Sequence, residues 1–307
     1  MPSNLAGAET EAVGQRRGVW QGMAAPGLGW LVLLFLVPFY AILATGMGGR
    51  DPIFNQVQPA WNPLDWNPQA FIDVAKELFG GYLGPTAVRT IAYVFIACLL
   101  CILIGYPMAY LVSRKAGRWK GLLLLIIIAP FWINYLMRMM AWVNLLSPDG
   151  QINKIIGFFG VPPVDWLAGN HFVVIMGLVY GYIPFFILPL FAALDRIDNQ
   201  VLEAARDMGA SPAQTFWRVT VPLSKQGILA GLVIIALPMF GDYYTPNLLS
   251  GSPRTRMIGN DIDQLLNATA SGTGQGAALT IYLMLFVGVL MIYYLVNVSR
   301  AAKEARR

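Results

Sequence analysis

The chain has 307 residues, of which 57% are apolar and only 12% are charged. Soluble globular proteins carry about 25% charged residues, so most of this surface cannot face water and a pair of soluble domains is excluded. The net charge is +5, with 21 Lys and Arg against 16 Asp and Glu, but the basic residues lie between apolar stretches, which argues against nucleic acid as a partner.

Six apolar stretches are long enough to cross a hydrocarbon layer of about 30 Å, because a helix advances about 1.5 Å per residue. They cover residues 26–47, 88–112, 121–146, 171–194, 226–249 and 277–298. The sequence therefore predicts an all-α polytopic membrane protein with six transmembrane helices, surrounded by membrane lipid. Residues 1–25 and 299–307 are the predicted tails, and 26–298 form the transmembrane domain.

The basic residues predict which side of the membrane each loop occupies, since Lys and Arg are retained in the cytoplasm. One set of alternating segments, which includes both tails and the loop 195–225, holds 14 Lys and Arg residues, whereas the other set holds 6. Both termini and the loop 195–225 are therefore predicted to be cytoplasmic.

Two outer loops contain predicted amphipathic helices. Asn67 and Pro68 suit the start of a helix, and the apolar residues that follow, from Phe71 to Phe79, share one face. A second short helix is expected from Gln151 to about Phe159, after a turn. Both helices would lie at the outer membrane interface.

Several chemistries are missing from the sequence. No phosphate-binding loop of the G-x-x-x-x-G-K-[ST] type occurs, so the chain is not expected to hydrolyse ATP. His171 is the single histidine, and Cys98 and Cys101 lie in an apolar span where packing is the favoured role, so no metal or catalytic site is expected. Gly177 and Gly181 form a G-x-x-x-G pair, which permits close helix packing.

The loop between the fourth and fifth spans carries strong local signals. Asp198 or Asn199 can cap a helix over about 200–208, with Val201, Ala204, Ala205 and Met208 along one side, and Gly209 suits the left-handed position after it. Ser211-Pro212-Ala213-Gln214 predicts the start of a second helix with a capping box. The following Phe216-Trp217 pair would be exposed unless a partner protein covers it.

This loop resembles the signature E-A-A-x3-G-x9-I-x-L-P of permease subunits in bacterial ABC importers of the type I, EAA-loop family, with Val at the Ile and Leu positions. The resemblance implies that the loop couples the permease to an ATPase subunit, which binds ATP and Mg, and that this chain has no cofactor of its own. The matching positions are Glu203, Ala204, Ala205, Gly209 and Pro222.

The resemblance extends from about Arg89 to Gly259, and strings such as Ile104-Gly105-Tyr106-Pro107 and Gly241-Asp242-Tyr243-Tyr244-Thr245-Pro246 look like the spermidine/putrescine branch. It implies a transport subunit in the bacterial cytoplasmic (inner) membrane, together with a second permease subunit, a dimer of ATPase subunits and an extracytoplasmic binding protein. A polyamine is the expected substrate. A phosphonate, sulfate or ferric complex is the alternative, and a secondary transporter is less favoured because it would need more carboxylates within spans.

Arg138 and Asp242 are the two charges that fall clearly within spans. Each lies about 11 Å below the outer boundary at about 1.5 Å per residue, so an ion pair that only ties the spans together is geometrically possible. Because Pro and Gly surround Asp242 and aromatic residues adjoin both charges, we also expect a weak transit site for an organic cation. The predicted translocation path comprises Asp242, Tyr243, Tyr244, Arg138, Trp132 and Tyr135.

Overall fold

A computed structural model describes residues 3–51, 56–268 and 272–304. Helices account for most of this part of the chain, and the described strands are the two-residue segments β1 (Gly49–Arg50) and β2 (Val57–Gln58). These strands pair antiparallel, with Gly49 opposite Gln58, and they join the first span to the first outer helix.

The helices are named here in chain order. The first seven are α1 (Ser3–Gly46), α2 (Gln69–Gly80), α3 (Leu83–Lys115), α4 (Lys120–Ile128), α5 (Tyr135–Leu146), α6 (Gln151–Phe158) and α7 (His171–Asp195). The others are α8 (Asn199–Asp207), α9 (Pro212–Thr215), α10 (Val221–Leu223), α11 (Lys225–Phe240), α12 (Tyr244–Leu249), α13 (Ile258–Ala268) and α14 (Thr273–Glu304). Short 3-10 turns and one π-helical turn, Phe216–Thr220, connect some of them.

The predicted six-span, all-α architecture is confirmed. Within the described residues, four continuous helices are long and apolar enough to cross a membrane, and two pairs of bent helices complete six spans. The continuous ones are Gly22–Gly46, Leu83–Lys115, His171–Asp195 and Thr273–Val298. The predicted outer helices are also present, as α2 and α6.

The third span is not the continuous helix that its apolar stretch suggests. The predicted stretch 121–146 is interrupted after Trp132, and the segments Gly117–Trp132 and Tyr135–Phe158 meet at 87°. Proline at position 130 removes a backbone donor, and Ile133 has extended backbone angles before Asn134 caps the next helix.

In the fifth span, the continuous helix ends at Phe240, and residues 244–249 form the separate helix α12. The inner end of this helix also bends, since Pro212–Leu223 and Lys225–Phe240 meet at 60°. Apolar composition does not reveal the break in the third span, because both halves remain apolar. In the fifth span, the break lies where Pro238, Gly241 and Pro246 indicate weakened backbone hydrogen bonds.

The core lies where α3, α7 and α11 pack against one another. Glycine permits the closest of these approaches, because a Cβ on Gly227 of α11 would lie 2.4 Å from the Ala193 Cβ of α7. Phe186 is fully buried between the same helices. On the outer side, α2, α13 and α14 form a second cluster, and α1 packs against α14.

Candidate functional site

The buried carboxylate of Asp242 is the centre of a polar cluster at the break between α11 and α12. Asp242 is only 7% exposed. Its Oδ1 accepts a hydrogen bond from the Thr245 backbone N at 3.0 Å, and its Oδ2 accepts from the Thr245 hydroxyl at 2.6 Å. The Tyr182 hydroxyl also donates to Oδ2, at 3.2 Å, and the Tyr135 hydroxyl lies 3.5 Å from Oδ2 and hydrogen-bonds to the Thr245 hydroxyl. The cluster therefore holds one negative charge among three hydroxyl groups.

The break at which this carboxylate lies is stabilised from the outer helix α13. Asn260, which is 4% exposed, donates through Nδ2 to the Tyr243 carbonyl at 2.8 Å and to Asn247 Oδ1 at 2.9 Å. A Cβ on Gly259 would lie 2.6 Å from the Gly241 carbonyl oxygen, so glycine allows α13 to approach the broken backbone. These contacts attach the start of α12 to α13.

The G-x-x-x-G pair of α7 forms the surface on which the cluster lies. A Cβ on Gly181 would lie 3.2 Å from the Tyr135 ring, and a Cβ on Gly177 would lie 2.3 Å from Leu249 and 2.7 Å from Thr245. The close packing predicted for this pair is therefore confirmed. It brings residues of the third and fifth spans together on the fourth.

Arg138 lies beside this cluster but forms no ion pair with Asp242. The salt bridge found among the described residues joins Lys120 and Asp195 instead. Arg138 is 8% exposed, and its guanidinium carbon lies 5.5 Å from the centroid of the Tyr135 ring. Tyr135 thus contacts both charges, through its ring and its hydroxyl. The interpretation of Arg138 and Asp242 as a direct ion pair is wrong for this conformation.

The other predicted path residues lie at the edges of the two breaks. The Tyr243 and Tyr244 rings are 4.1 Å apart, and Tyr244 is 44% exposed. Trp132 is 78% exposed at the end of the first half of the third span. The cluster around Asp242 thus brings Tyr135 close to the carboxylate, whereas Trp132 remains on the surface.

Four residues of this region were not predicted. Tyr182 and Thr245 bind the Asp242 carboxylate, and Phe131 and Tyr180 face the guanidinium of Arg138. The pattern Tyr180-Gly181-Tyr182 within an apolar span was the available signal, because a buried tyrosine hydroxyl needs a hydrogen-bond partner.

A polar cleft of about 390 Å³ adjoins the break on the outer side. Its lining consists of amide and charged side chains, namely Asn247, Arg256, Asn260, Asp263, Gln264 and Asn267. Within the described parts of the chain, no group of three or more His, Cys, Asp or Glu side chains is placed to hold a metal ion.

The neighbouring Asp261 is a second buried carboxylate, outside the spans. It is 5% exposed, and its Oδ2 has no hydrogen-bond partner among the described residues. Burial raises the pKa of this carboxyl above its ordinary range, while a hydrogen bond with Thr86 and the positive charges of Arg256 and Arg89 oppose that shift.

On the opposite side of the molecule, the loop between α7 and α11 folds much as its sequence predicts. Asp198 caps α8 by accepting from the Gln200 backbone N. Gly209 follows α8 with φ of +88°, and the Ala210 backbone N reaches back to the Ala205 carbonyl. Ser211 and Gln214 form the complete capping box of α9. Two short helices therefore meet at a tight elbow.

Most positions of the E-A-A-x3-G signature face outward on this loop. Glu203, Ala204, Gly209 and Pro222 are exposed, and Ala205 is buried. The apolar stripe predicted along α8 does not face the core as a unit, because Leu202 and Ala205 pack inward while Val201 is 45% and Met208 is 84% exposed.

The aromatic pair after α9 divides between core and surface. Trp217 is 68% exposed, as predicted, but Phe216 is partly buried, so its predicted exposure is wrong. The Phe216 ring packs edge-on against Tyr106 and Tyr110 of α3, with centroids 5.5 and 5.4 Å apart. Tyr106 in turn hydrogen-bonds through its hydroxyl to Ser224, at the 60° bend before α11. The loop is therefore attached to the second and fifth spans.

The comparisons with known proteins agree with this geometry. Residues 101–303, about two-thirds of the chain, match the family described as "Binding-protein-dependent transport system inner membrane component". The spermidine/putrescine transport system permease protein PotB of Escherichia coli is 33% identical over 87% of this chain and 93% of its own length. PotB of Haemophilus influenzae is 32% identical, over 87% of this chain and 90% of its own.

The fold is also similar to that of a solved transporter. A chain from the crystal structure of a bacterial alginate ABC transporter superposes with a TM-score of 0.70 and 17% identity, over 91% of this chain and 93% of that one. Permeases of this architecture work with an ATPase and a substrate-binding protein. The chain belongs to the family of binding-protein-dependent transport system inner membrane components, as a multi-pass inner-membrane permease subunit of an ABC importer.

Proposed function

We propose that this permease imports a polyamine of the spermidine and putrescine class. Its identity of 32–33% to two spermidine/putrescine permeases, over nearly their whole length, carries the proposal. The Asp242 site supports it, because a buried carboxylate surrounded by tyrosines attracts organic ammonium groups through charge, hydrogen bonds and ring faces.

The charge balance favours brief occupancy of this site. A polyamine carries at least two positive charges, and Asp242 supplies one negative charge, while Arg138 beside it is positive. A fully bound polycation would remain partly unneutralised in a region of low dielectric constant. We therefore assign Asp242 to transit and leave tight recognition to the extracytoplasmic binding protein.

We assign the translocation path to an interface with a second, similar permease subunit. Apolar side chains at both breaks remain exposed, including Trp132 at 78%, Ile133 at 55% and Tyr244 at 44%. Broken membrane helices are tolerated where they face protein or a wet cavity. A second subunit on this side would cover those side chains and enclose Asp242 between the two chains.

The cytoplasmic loop is the proposed binding surface for a dimer of ATPase subunits. Val201, Met208 and Trp217 form exposed apolar positions beside the exposed Glu203 and Gly209, and such positions are typical of a partner interface. ATP and Mg would bind to that partner, and this chain would contribute no ATPase site or cofactor. Movement of the ATPase would reach the spans through Phe216, which packs on α3.

A reconstitution experiment tests the substrate. The complete complex, with its cognate binding protein, is placed in proteoliposomes and supplied with ATP and radiolabelled spermidine. We expect uptake that putrescine inhibits and that methylphosphonate, sulfate and ferric citrate do not. Uptake of one of these other solutes, without uptake of spermidine, would overturn the polyamine assignment. Spermidine uptake that persists with an ATPase-inactive partner would indicate a secondary transporter instead.

The role of the carboxylate is tested in the same assay. Asp242→Asn keeps the shape but removes the charge, and we expect it to lower spermidine uptake at least ~10-fold, which corresponds to about 1.4 kcal/mol of lost transition-state stabilisation. Asp65→Asn, at an exposed carboxylate in the outer loop, is the matched control. Full uptake by the double variant Arg138→Gln/Asp242→Asn would show that Asp242 is structural and would remove it from the path.

A further inference from the structure

Three aromatic rings enclose the guanidinium of Arg138. One comes from the segment before the break in the third span, one from α5 after the break, and one from α7. The central carbon of the guanidinium lies 4.0 Å from the centroid of the Phe131 ring, 5.5 Å from that of Tyr135 and 5.7 Å from that of Tyr180. All three distances are within the range of about 6 Å in which a cation is attracted to a ring face. We name Phe131, Tyr135 and Tyr180 the aromatic cage.

The cation inside the aromatic cage is poorly hydrogen-bonded. Nε and Nη1 of Arg138 are fully buried, and neither has a hydrogen-bond partner among the described residues. The residue as a whole is 8% exposed. Nε carries one N–H group and Nη1 carries two. A buried guanidinium with three unused N–H groups has lost hydration without full compensation, and the ring faces contribute to its retention.

The aromatic cage also borders the transit site. Tyr135 supplies one wall of the cage, and its hydroxyl lies 3.5 Å from Oδ2 of Asp242. A positive group that reaches Asp242 from the membrane interior therefore meets the same tyrosine that faces Arg138. Two cationic groups, the resident guanidinium and an arriving ammonium, would compete for one set of rings.

We propose that the aromatic cage is an ammonium-binding site of the translocation path and that Arg138 occupies it as a resident cation in this conformation. The ligand class is the primary or secondary ammonium group of an alkyl polyamine. This inference rests on the proposed polyamine function. While the guanidinium occupies the cage, an ammonium group enters only by displacing it, and this displacement breaks no hydrogen bond to Nε or Nη1.

The bracing of the bend is the competing role for Arg138. Phe131 lies before the 87° break and Arg138 after it, so their contact alone could hold the two halves together. That role predicts that removal of the guanidinium lowers thermal stability and leaves ammonium binding unchanged. If the guanidinium instead competes with ammonium for the cage, its removal strengthens ammonium binding, which a bracing role does not predict.

Equilibrium binding of radiolabelled spermidine to the complete complex in nanodiscs, without the binding protein, separates these roles. We expect Arg138→Gln to bind spermidine at least ~10-fold more tightly than the wild type, because the cage is vacated. Arg138→Lys keeps a resident cation and is expected to bind like the wild type. Arg138→Met repeats the test if the glutamine variant does not assemble.

The gain must depend on the rings. Adding Phe131→Leu to Arg138→Gln is expected to cancel it, because the ring at 4.0 Å is lost. Adding Phe185→Leu is the matched control, since Phe185 packs edge-on against Phe131 but is not one of the rings facing the guanidinium. Unchanged binding by Arg138→Gln, or a gain that survives Phe131→Leu, would overturn the proposal.

The outcomes also separate this inference from the proposed function. If the wild-type complex imports spermidine with its binding protein but Arg138→Gln shows no gain in binding, the cage assignment fails and the polyamine function stands. If the wild type does not import spermidine and imports another solute, the proposed function fails, whatever the variants bind.

Discussion

The elbow at Gly209 allows a graded test of the coupling role proposed for the loop 195–225. A Cβ built on Gly209 has nothing within 4 Å, so any penalty of substitution comes from the backbone and not from crowding. Its φ of +88° is disfavoured for residues with a Cβ, by ~1–2 kcal/mol. Asn tolerates this region best after Gly, and β-branched Val tolerates it least, so the expected order of damage is Asn, then Ala, then Val.

This strain acts on a defined element. The Gly209 backbone N bonds to the Arg206 carbonyl and the Ala210 backbone N to the Ala205 carbonyl, and both bonds hold α8 against the start of α9. A loss of ~1–2 kcal/mol lowers the ratio of the native elbow to its alternatives roughly 5- to 30-fold. We expect transport to fall by up to this factor in Gly209→Ala and by more in Gly209→Val.

The assay is ATP-driven uptake by proteoliposomes, together with the ATPase activity that the loaded binding protein stimulates. Gly121→Ala is the matched control, because Gly121 also has open space around its Cβ and lies within α4 without a positive φ. Equal transport by Gly209→Val and the wild type, with the ATPase still bound, would refute the reasoning and remove the elbow from coupling.

Three further predictions concern the rest of the molecule. Gly177→Ala places a Cβ 2.3 Å from Leu249, so we expect α12 to be displaced and uptake to fall while membrane insertion stays normal; unchanged uptake would contradict this. Because burial raises the pKa of Asp261, the folded state keeps a proton that the unfolded chain has lost above about pH 4, and stability falls as the pH rises through that window. The thermal unfolding temperature should therefore rise more for the wild type than for Asp261→Asn as the pH falls from about 7 to about 4, and equal shifts would remove this carboxyl as the cause. A cysteine at Lys120 should be shielded from an impermeant reagent in intact cells and one at Asn62 should react, whereas labelling at Lys120 would overturn the predicted orientation.

The coupling loop was predictable from the sequence because its structure depends on neighbouring residues. The Asp198 cap, the positive φ of Gly209 and the capping box of Ser211 and Gln214 each arise within a few residues of chain. What the sequence could not show is which face of α8 lies inward, because Leu202 is buried by spans that are distant in sequence.

The membrane cluster was only partly predictable for the same reason. Asp242 and Arg138 stand out as charges in apolar stretches, and their similar depth followed from counting residues. The Arg138 and Asp242 side chains do not meet, because the Tyr135 ring and the bends of two spans keep them apart. Tyr182 and Tyr135 reach Asp242 from 60 and 107 positions away in the sequence, and no local sequence pattern predicts contacts at such separations.

The interruption between α11 and α12 has a mechanical consequence for the fifth span. The outer segment is anchored to α13 through Asn260, while the inner segment packs on α3 and α7 and leads to the cytoplasmic loop. A continuous helix would transmit a tilt from one membrane face to the other, but a helix interrupted at residues 241–243 does not. A tilt of the cytoplasmic end would leave the outer end packed on α13, so the two ends of the proposed translocation path need not open together.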